Sequence, residues 1–205
     1  MCMNKGVLFV ISGPSGTGKG TVCAELVKND DIFLSVSSTT RDIRAGEVDG
    51  VTYNYTTVEN FKIMIENGDM LEWAMYNNNY YGTPKSAVKK SLDEGKNVIL
   101  EIEPQGAFKI KEAFPDAVLI FIAPPSFKEL RNRLINRGRE NDEQINDRIK
   151  AALWEIGVAS RYNHYIINDD LDDCVNEVMN TIRFSVSTRN KINKLLDEAD
   201  ALGYK

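Results

Sequence analysis

The stretch Val7-Leu8-Phe9-Val10-Ile11-Ser12-Gly13-Pro14-Ser15-Gly16-Thr17-Gly18-Lys19-Gly20-Thr21 constrains this chain more than any other. A five-residue apolar run reads as a buried parallel strand, and it feeds a Gly-rich turn followed by a helical pattern. Residues Gly13 to Lys19 match G-x-x-x-x-G-K, in which successive backbone N–H groups converge on phosphate oxygens at the positive end of the next helix. Lys19 would then reach the outer phosphates of a nucleoside triphosphate. The full pattern asks next for Ser or Thr as a Mg²⁺ ligand; Gly20 stands there, with Thr21 one place later. The competing reading is a tight strand-to-helix turn with a surface lysine.

The chain of 205 residues is long enough to bury one core, with room for inserted lobes. With 25 basic against 30 acidic residues it has no global attraction for nucleic acid or an anionic membrane, so any anion site must be built locally. Cys2, Cys23 and Cys174 share no close spacing, which argues for free cytosolic thiols rather than a disulfide framework or a zinc site. The apolar run after Lys5 breaks at Ser12-Gly13-Pro14, too short for a signal peptide, and no stretch reaches membrane-spanning length. A cytoplasmic location is expected.

Periodicity predicts a helix from Lys19 to about Asn29, a short strand over residues 33–37, and an antiparallel strand where Val51, Tyr53 and Tyr55 alternate with polar residues. Glu59 to Glu66 reads as a helix stopped by Asn67-Gly68. Buried strands are expected over 98–103 and 117–122, and Ser126 is placed to cap the helix carrying Leu130 and Leu134. Residues 137–148 are so highly charged that they read as a solvated helix face or a flap, not core; a helix resumes over 151–159. A last strand at 165–168 and a last helix marked by Leu171, Val175, Val178, Ile182 and Val186 complete an α/β alternation. The tail from Ser187 keeps amphipathic spacing at Ile192, Leu195 and Leu196.

Taken in order, the loop, the segment Ser37-Ser38-Thr39-Thr40-Arg41-Asp42-Ile43-Arg44-Ala45-Gly46-Glu47, Asp49-Gly50, Leu71-Glu72-Trp73 and Tyr80-Tyr81-Gly82-Thr83 closely resemble the guanylate kinases, and the resemblance spans the chain to about Val186. It implies a P-loop core with a parallel sheet flanked by helices (about 1–36, 84–136 and 149–205), an inserted mixed β GMP-binding lobe (about 37–83) and a helical lid (about 137–148). It also implies Mg²⁺-dependent phosphoryl transfer from ATP to GMP, and to dGMP, by a monomer or homodimer that engages neither nucleic acid nor membrane. Two rivals remain at this point: a non-catalytic binding module of the same fold, and a kinase for another nucleoside monophosphate.

The resemblance carries over to individual positions. ATP would lie on Gly13, Pro14, Ser15, Gly16, Thr17, Gly18, Lys19, Gly20 and Thr21, with Asn168 beside the adenine. Arg41 and Arg44, whose forked donors suit a phosphate, would hold GMP with Tyr53 and Tyr81. Arg137 and Arg148 would close on the ATP phosphates and join Lys19 and Arg44 as the catalytic cations; Arg131, Arg133 and Arg139 are nearby rivals. Transfer to an already ionised phosphate needs charge neutralisation rather than a general base, so the single histidine, His164, is read as structural.

Glu72 interrupts an apolar run, and a carboxylate there is costly to bury without a partner. Guanine N1–H and N2–H₂ are two parallel donors that fit it, whereas adenine presents an acceptor at N1. Ser37 and Thr83 would then stand near O6. By the same resemblance Glu103 assists at the guanine edge and Glu101 acts through water on Mg²⁺, with Thr21 as the other candidate metal residue. The family usually carries aspartate at the second of these positions and often at the first, so two glutamates are a departure.

Overall fold

The computed structural model describes residues 5–76, 78–138 and 141–204. Cys2 and Arg139 lie outside them. Nine strands and seven α-helices alternate along these residues, in two sheets.

The first sheet is parallel throughout, in the order β2 (Ile32–Leu34), β7 (Asn97–Glu101), β1 (Leu8–Ser12), β8 (Val118–Ala123), β9 (His164–Ile167). The strand leading into the Gly-rich turn is thus the middle one, fully buried along its length. Its side chains alternate between two cores. Phe9 and Ile11 pack with α1 (Lys19–Leu26) and α7 (Leu171–Ala201), and Leu8 and Val10 with α3 (Lys85–Asp93) and α4 (Pro104–Ala113). Each such apolar side chain contributes about 1.5–3 kcal/mol by leaving water. The ends of β1, β7 and β8 that face the turn are carboxyl ends, where open α/β sheets bind ligands.

The second sheet is mixed: β4 (Asn54–Tyr55), β3 (Ser38–Thr39), β6 (Asn79–Pro84), β5 (Met70–Tyr76). Its main unit is the β5–β6 hairpin, packed on α2 (Val58–Glu66), whose Phe61 is fully buried and stacks on Tyr80. The expected antiparallel strand through Val51 is not formed. Only Asn54–Tyr55 is strand, and it pairs parallel with Ser38–Thr39. The amides of Val51 and Thr52 both donate to Val48 O and Gly50 turns left-handed at φ 75°, so the alternation belongs to a curled loop with Val51 exposed. The strand expected at 33–37 runs instead over Ile32–Leu34, after which the chain leaves the first sheet for the second.

The charged 137–148 stretch is mostly helix. α5 (Phe127–Asn136) ends at Arg137, and α6 (Asp142–Gly157) begins at a capping box in which Asn141 and Gln144 bond each other's amides. It also holds one core residue, contrary to the sequence reading: Ile145 is 3% exposed and packs on Leu130, Leu134 and Ala152. The final helix continues without a break through the tail to Ala201. Cys23 and Cys174 are free, buried thiols.

Candidate nucleotide site

Gly18 enters α1 in the left-handed region at φ 88°, and a Cβ there would stand 2.5 Å from Asn168 Nδ2, so only glycine fits. Asn168 in turn donates to Thr17 O at 2.7 Å and is itself buried, held by its amide bond to Ala123 O and by Arg133 Nη1 on its carbonyl. The loop is therefore clamped from the end of β9. Thr17 Oγ1 donates across it to Pro14 O. Lys19 Nζ lies back over the turn, donating to Gly13 O at 2.6 Å and Pro14 O at 3.0 Å. From the far side Arg148 Nη1 of α6 donates to Ser15 Oγ at 2.8 Å. Two cations thus meet on one loop of backbone amides at the N-terminus of a helix, which is an arrangement for a polyphosphate.

The other arginines separate by role. Arg131 is bonded to Asn146 and paired with Asp142, and Arg133 is held by Glu129 and the Asn168 carbonyl, so both tie elements together. Arg137 closes α5 and is exposed.

Three carboxylates ring the loop. Glu101, at the end of β7, points at the first turn of α1, where a Cβ on Gly20 would meet its oxygens at 3.7 and 3.9 Å. Glu103 N-caps α4 without a side-chain cap bond and keeps solvent contact in the cleft. The protein packed around it raises its carboxyl above the ordinary value, with Lys19 and Arg148 pulling the other way. The third, Glu155 of α6, is buried; among the described residues its Oε2 has no hydrogen-bond partner. Burial lifts its carboxyl to about 7, helped by Glu103 and opposed by Lys19 and Arg148. Sequence reasoning did not single out Glu155. The available signal was an acid seven residues after Arg148, hence on the same helix face, inside the run Ala152-Leu153-Trp154-Glu155-Ile156.

Across the cleft, Glu72 on β5 is 6% exposed, and its Oε1 accepts from Thr83 Oγ1 of β6 at 2.8 Å. The register opposes these two residues directly. Burial raises the Glu72 carboxyl, with the Thr83 bonds and the Lys109 charge opposing. Its other oxygen faces Gly106 of α4, where a Cβ would come within 2.7 Å. An exposed glutamate on an amphipathic segment is therefore excluded, and a side chain at 106 would collide with the carboxylate.

Arg41 is closed in by its own segment. Nη2 donates to Glu47 Oε1 at 2.9 Å, and the guanidinium lies over the Tyr53 and Tyr55 rings at 5.5 and 5.9 Å with Tyr81 beside it. Partial burial weakens its charge, and Glu47 more than offsets that. Glu47 also accepts from Tyr55 Oη and the Arg44 amide; these bonds outweigh its own burial and draw its carboxyl down to about 2. Tyr53, in edge contact with Tyr81, has its phenol raised to about 12 by burial and by the Glu101 charge. Arg44 is exposed, and Ser37 is half-buried with its carbonyl accepting from Asn54 N. His164 is the first residue of β9, opposite Ile120, away from these groups.

A phosphate loop on the middle strand of a parallel sheet, an arginine approaching it from a helix, and a second sheet carrying a buried carboxylate define a P-loop phosphotransferase of the nucleoside monophosphate kinase class. The comparisons resolve which one. The family model described as guanylate kinase matches residues 5–184. A guanylate kinase of Clostridium perfringens is 57% identical over 176 residues, covering 85% of this chain and 82% of that one. That of Clostridioides difficile is 48% identical over 195 residues, covering 95% and 94%. The crystal structure of guanylate kinase from Anaplasma phagocytophilum superposes with a TM-score of 0.75 at 34% identity, covering 89% of this chain and 87% of that one. A gluconokinase from Sinorhizobium meliloti, at 14% identity and a TM-score of 0.53, shares the fold alone. The chain belongs to the guanylate kinase family, and its reaction is ATP-dependent phosphorylation of GMP.

Proposed function

We propose that ATP is bound at Gly13–Thr21 with Asn168 behind the loop, that GMP lies in the 37–83 lobe against Glu72, and that the 137–148 lid closes over both. The observation supporting this most is the convergence of Lys19 and Arg148 on the loop from opposite sides. Both cations now bond to loop oxygens, so a triphosphate on the amides exchanges those contacts for stronger charge-assisted ones. Arg137, exposed at the end of α5, adds a further cation to the transferring group as the lid moves. The acceptor phosphate of GMP is already ionised, so no base is required; Lys19, Arg44, Arg137 and Arg148 neutralise charge and hold the two phosphates in line.

Arg41, Tyr53, Tyr81 and Arg44 hold the GMP phosphate, with Glu47 acting as a stand-in anion that keeps Arg41 extended in place. Glu72, with Thr83, Ser37 and Glu103, reads guanine. Thr83 already occupies Oε1, leaving Oε2 and the lone pairs of both oxygens for N1–H and N2–H₂. The same reading extends to dGMP, which presents the base and the phosphate that these residues hold.

Mg²⁺ fits the donor set. Among the described residues no cluster of three or more His, Cys, Asp or Glu is arranged to hold a metal, yet an ion carried by ATP phosphates and water needs only one or two protein groups. The exposed Thr21 hydroxyl and the Glu101 carboxylate beside Gly20 are those groups. When bound, the ion polarises the phosphates and masks their charge. No helix of the described residues is long and apolar enough to cross a membrane, and we place the protein in the cytoplasm.

The decisive experiment is Glu72→Gln with GMP and AMP as acceptors in a coupled assay of ADP release. The amide turns one guanine-facing acceptor into a donor, so GMP recognition falls by about 2–4 kcal/mol, roughly 30- to 1,000-fold in kcat/KM. AMP, already a poor acceptor, does not lose ground with it. An unchanged GMP titration removes Glu72 from the pocket.

A further inference from the structure

The family match ends at residue 184, but α7 runs on to Ala201. In its first half, Cys174, Val178 and Ile182 are buried against the sheet, and Met179 and Val186 pack beside them. In its second half the side facing the body is polar: Asn190, Lys194 and, about a quarter-turn nearer the outer side, Lys191 line a groove with Asn29 and Asp31. The opposite side is apolar. Ile192, Leu195 and Leu202 are exposed by half or more of their surface, as are Phe184 and Leu196 on its margins. Positions 185, 188, 192, 195, 199 and 202 (Ser, Thr, Ile, Leu, Ala, Leu) are spaced alternately three and four apart, the seam of a coiled coil rather than of a helix lying on its own core. This seam points away from the body, so the chain's own sheet cannot cover it.

Charge identifies the occupant. Arg189, Lys191 and Lys194 make the near half of this segment basic, and Asp197, Glu198 and Asp200 make the far half acidic. A segment so divided complements a reversed copy of itself. We propose that α7 pairs with α7 of a second copy of this chain, antiparallel about a two-fold axis. Ile192 packs on the partner's Leu195, Thr188 on the partner's Ala199, and Ser185 on the partner's Leu202. In that register Lys191 flanks the seam opposite the partner's Glu198, and the two-fold repeats the pair. A parallel, in-register pair forms neither contact: Lys191 would face the partner's Leu196, and Glu198 the partner's Gly203. The antiparallel arrangement also sends the two bodies to opposite ends of the helix pair, leaving both nucleotide clefts open. This inference does not rest on the residue roles assigned to those clefts.

Sedimentation equilibrium of the full chain across roughly 1–100 µM tests it. The expected result is a reversible dimer that Leu195→Glu converts to monomer, with helicity and GMP phosphorylation unchanged because Leu195 lies outside the core and the cleft. Lys191→Glu and Glu198→Lys each weaken the dimer about tenfold, and the double variant restores it because the pairs reform with reversed sign. A wild-type monomer throughout that range, a Leu195→Glu dimer, or a double variant no tighter than its parents overturns the proposal. The first outcome leaves the seam to a different partner.

Discussion

Glu155 is the residue whose protonation most directly couples the site to stability. Its carboxyl is raised from 4.5 to about 7, so the folded state holds the proton more tightly than the unfolded one. Between those values the folded chain binds more protons, and stability falls as pH rises. The neutral acid's contribution is complete below about pH 4.5 and is lost as pH passes through about 7, after which a buried charge has no partner for Oε2 among the described residues. Glu155→Gln keeps the shape and stays neutral throughout. Denaturation by urea should show the variant matching the parent near pH 5 and exceeding it at pH 8, by at most about 3 kcal/mol. Parallel pH profiles would mean that Glu155 is not buried as a charge. What sequence alone could not supply is visible here: Lys19 and the glycines announce themselves through a contiguous pattern, whereas Glu155 matters only because α6 folds back over the loop. The Arg41–Glu47 pair was closer to hand, six residues apart across a turn, yet opposite charges in a polar loop carry no sign of whether they meet.

At the level of elements, the distinction between flap and core was misjudged for the same reason. A stretch with seven charged residues from Arg137 to Arg148 reads as solvated, and its average polarity hides the one side chain that anchors it. Ile145 enters the space between Leu130 and Leu134, one turn into α6, and thereby fixes where Arg148 falls. The curled loop at 48–53 makes the complementary point: alternation is a statement about side chains, and hydrogen bonds to Val48 O decide the backbone. Ile145→Ala should cost about 2–4 kcal/mol locally, since the cavity lies between two helices that can separate. The loss falls on lid order rather than on the sheet. The expected signature is a raised KM for ATP with the KM for GMP preserved; a lower thermal midpoint with both constants unchanged would show that Arg148 reaches Ser15 without the Ile145 anchor.

At the scale of the whole molecule the two sheets differ in what holds them. The parallel sheet is sealed on both faces by helices. The mixed sheet has two strands of two residues each, one face closed by α2, and ties to the core through Lys109 on the Trp73 carbonyl and ring, Glu72 against Gly106, and Asn54 on the Val36 carbonyl. A small sheet with so few tertiary anchors opens at a lower free energy than the core beneath it. This makes the division into core, 37–83 lobe and lid testable without any mutation. In hydrogen exchange without ligand, amides of β3, β4 and β6 should exchange well before those of β1, β7 and β8. GMP at about 100 times its Kd should slow the lobe amides by up to about 100-fold, equivalent to ~2.7 kcal/mol. An ATP analogue alone should instead protect residues 13–21 and 142–150 and leave the lobe as it was. Equal protection of both sheets by either nucleotide would mean that the chain opens as one unit, and that GMP selection by Glu72 takes place in a preformed pocket instead of a lobe that orders around the base.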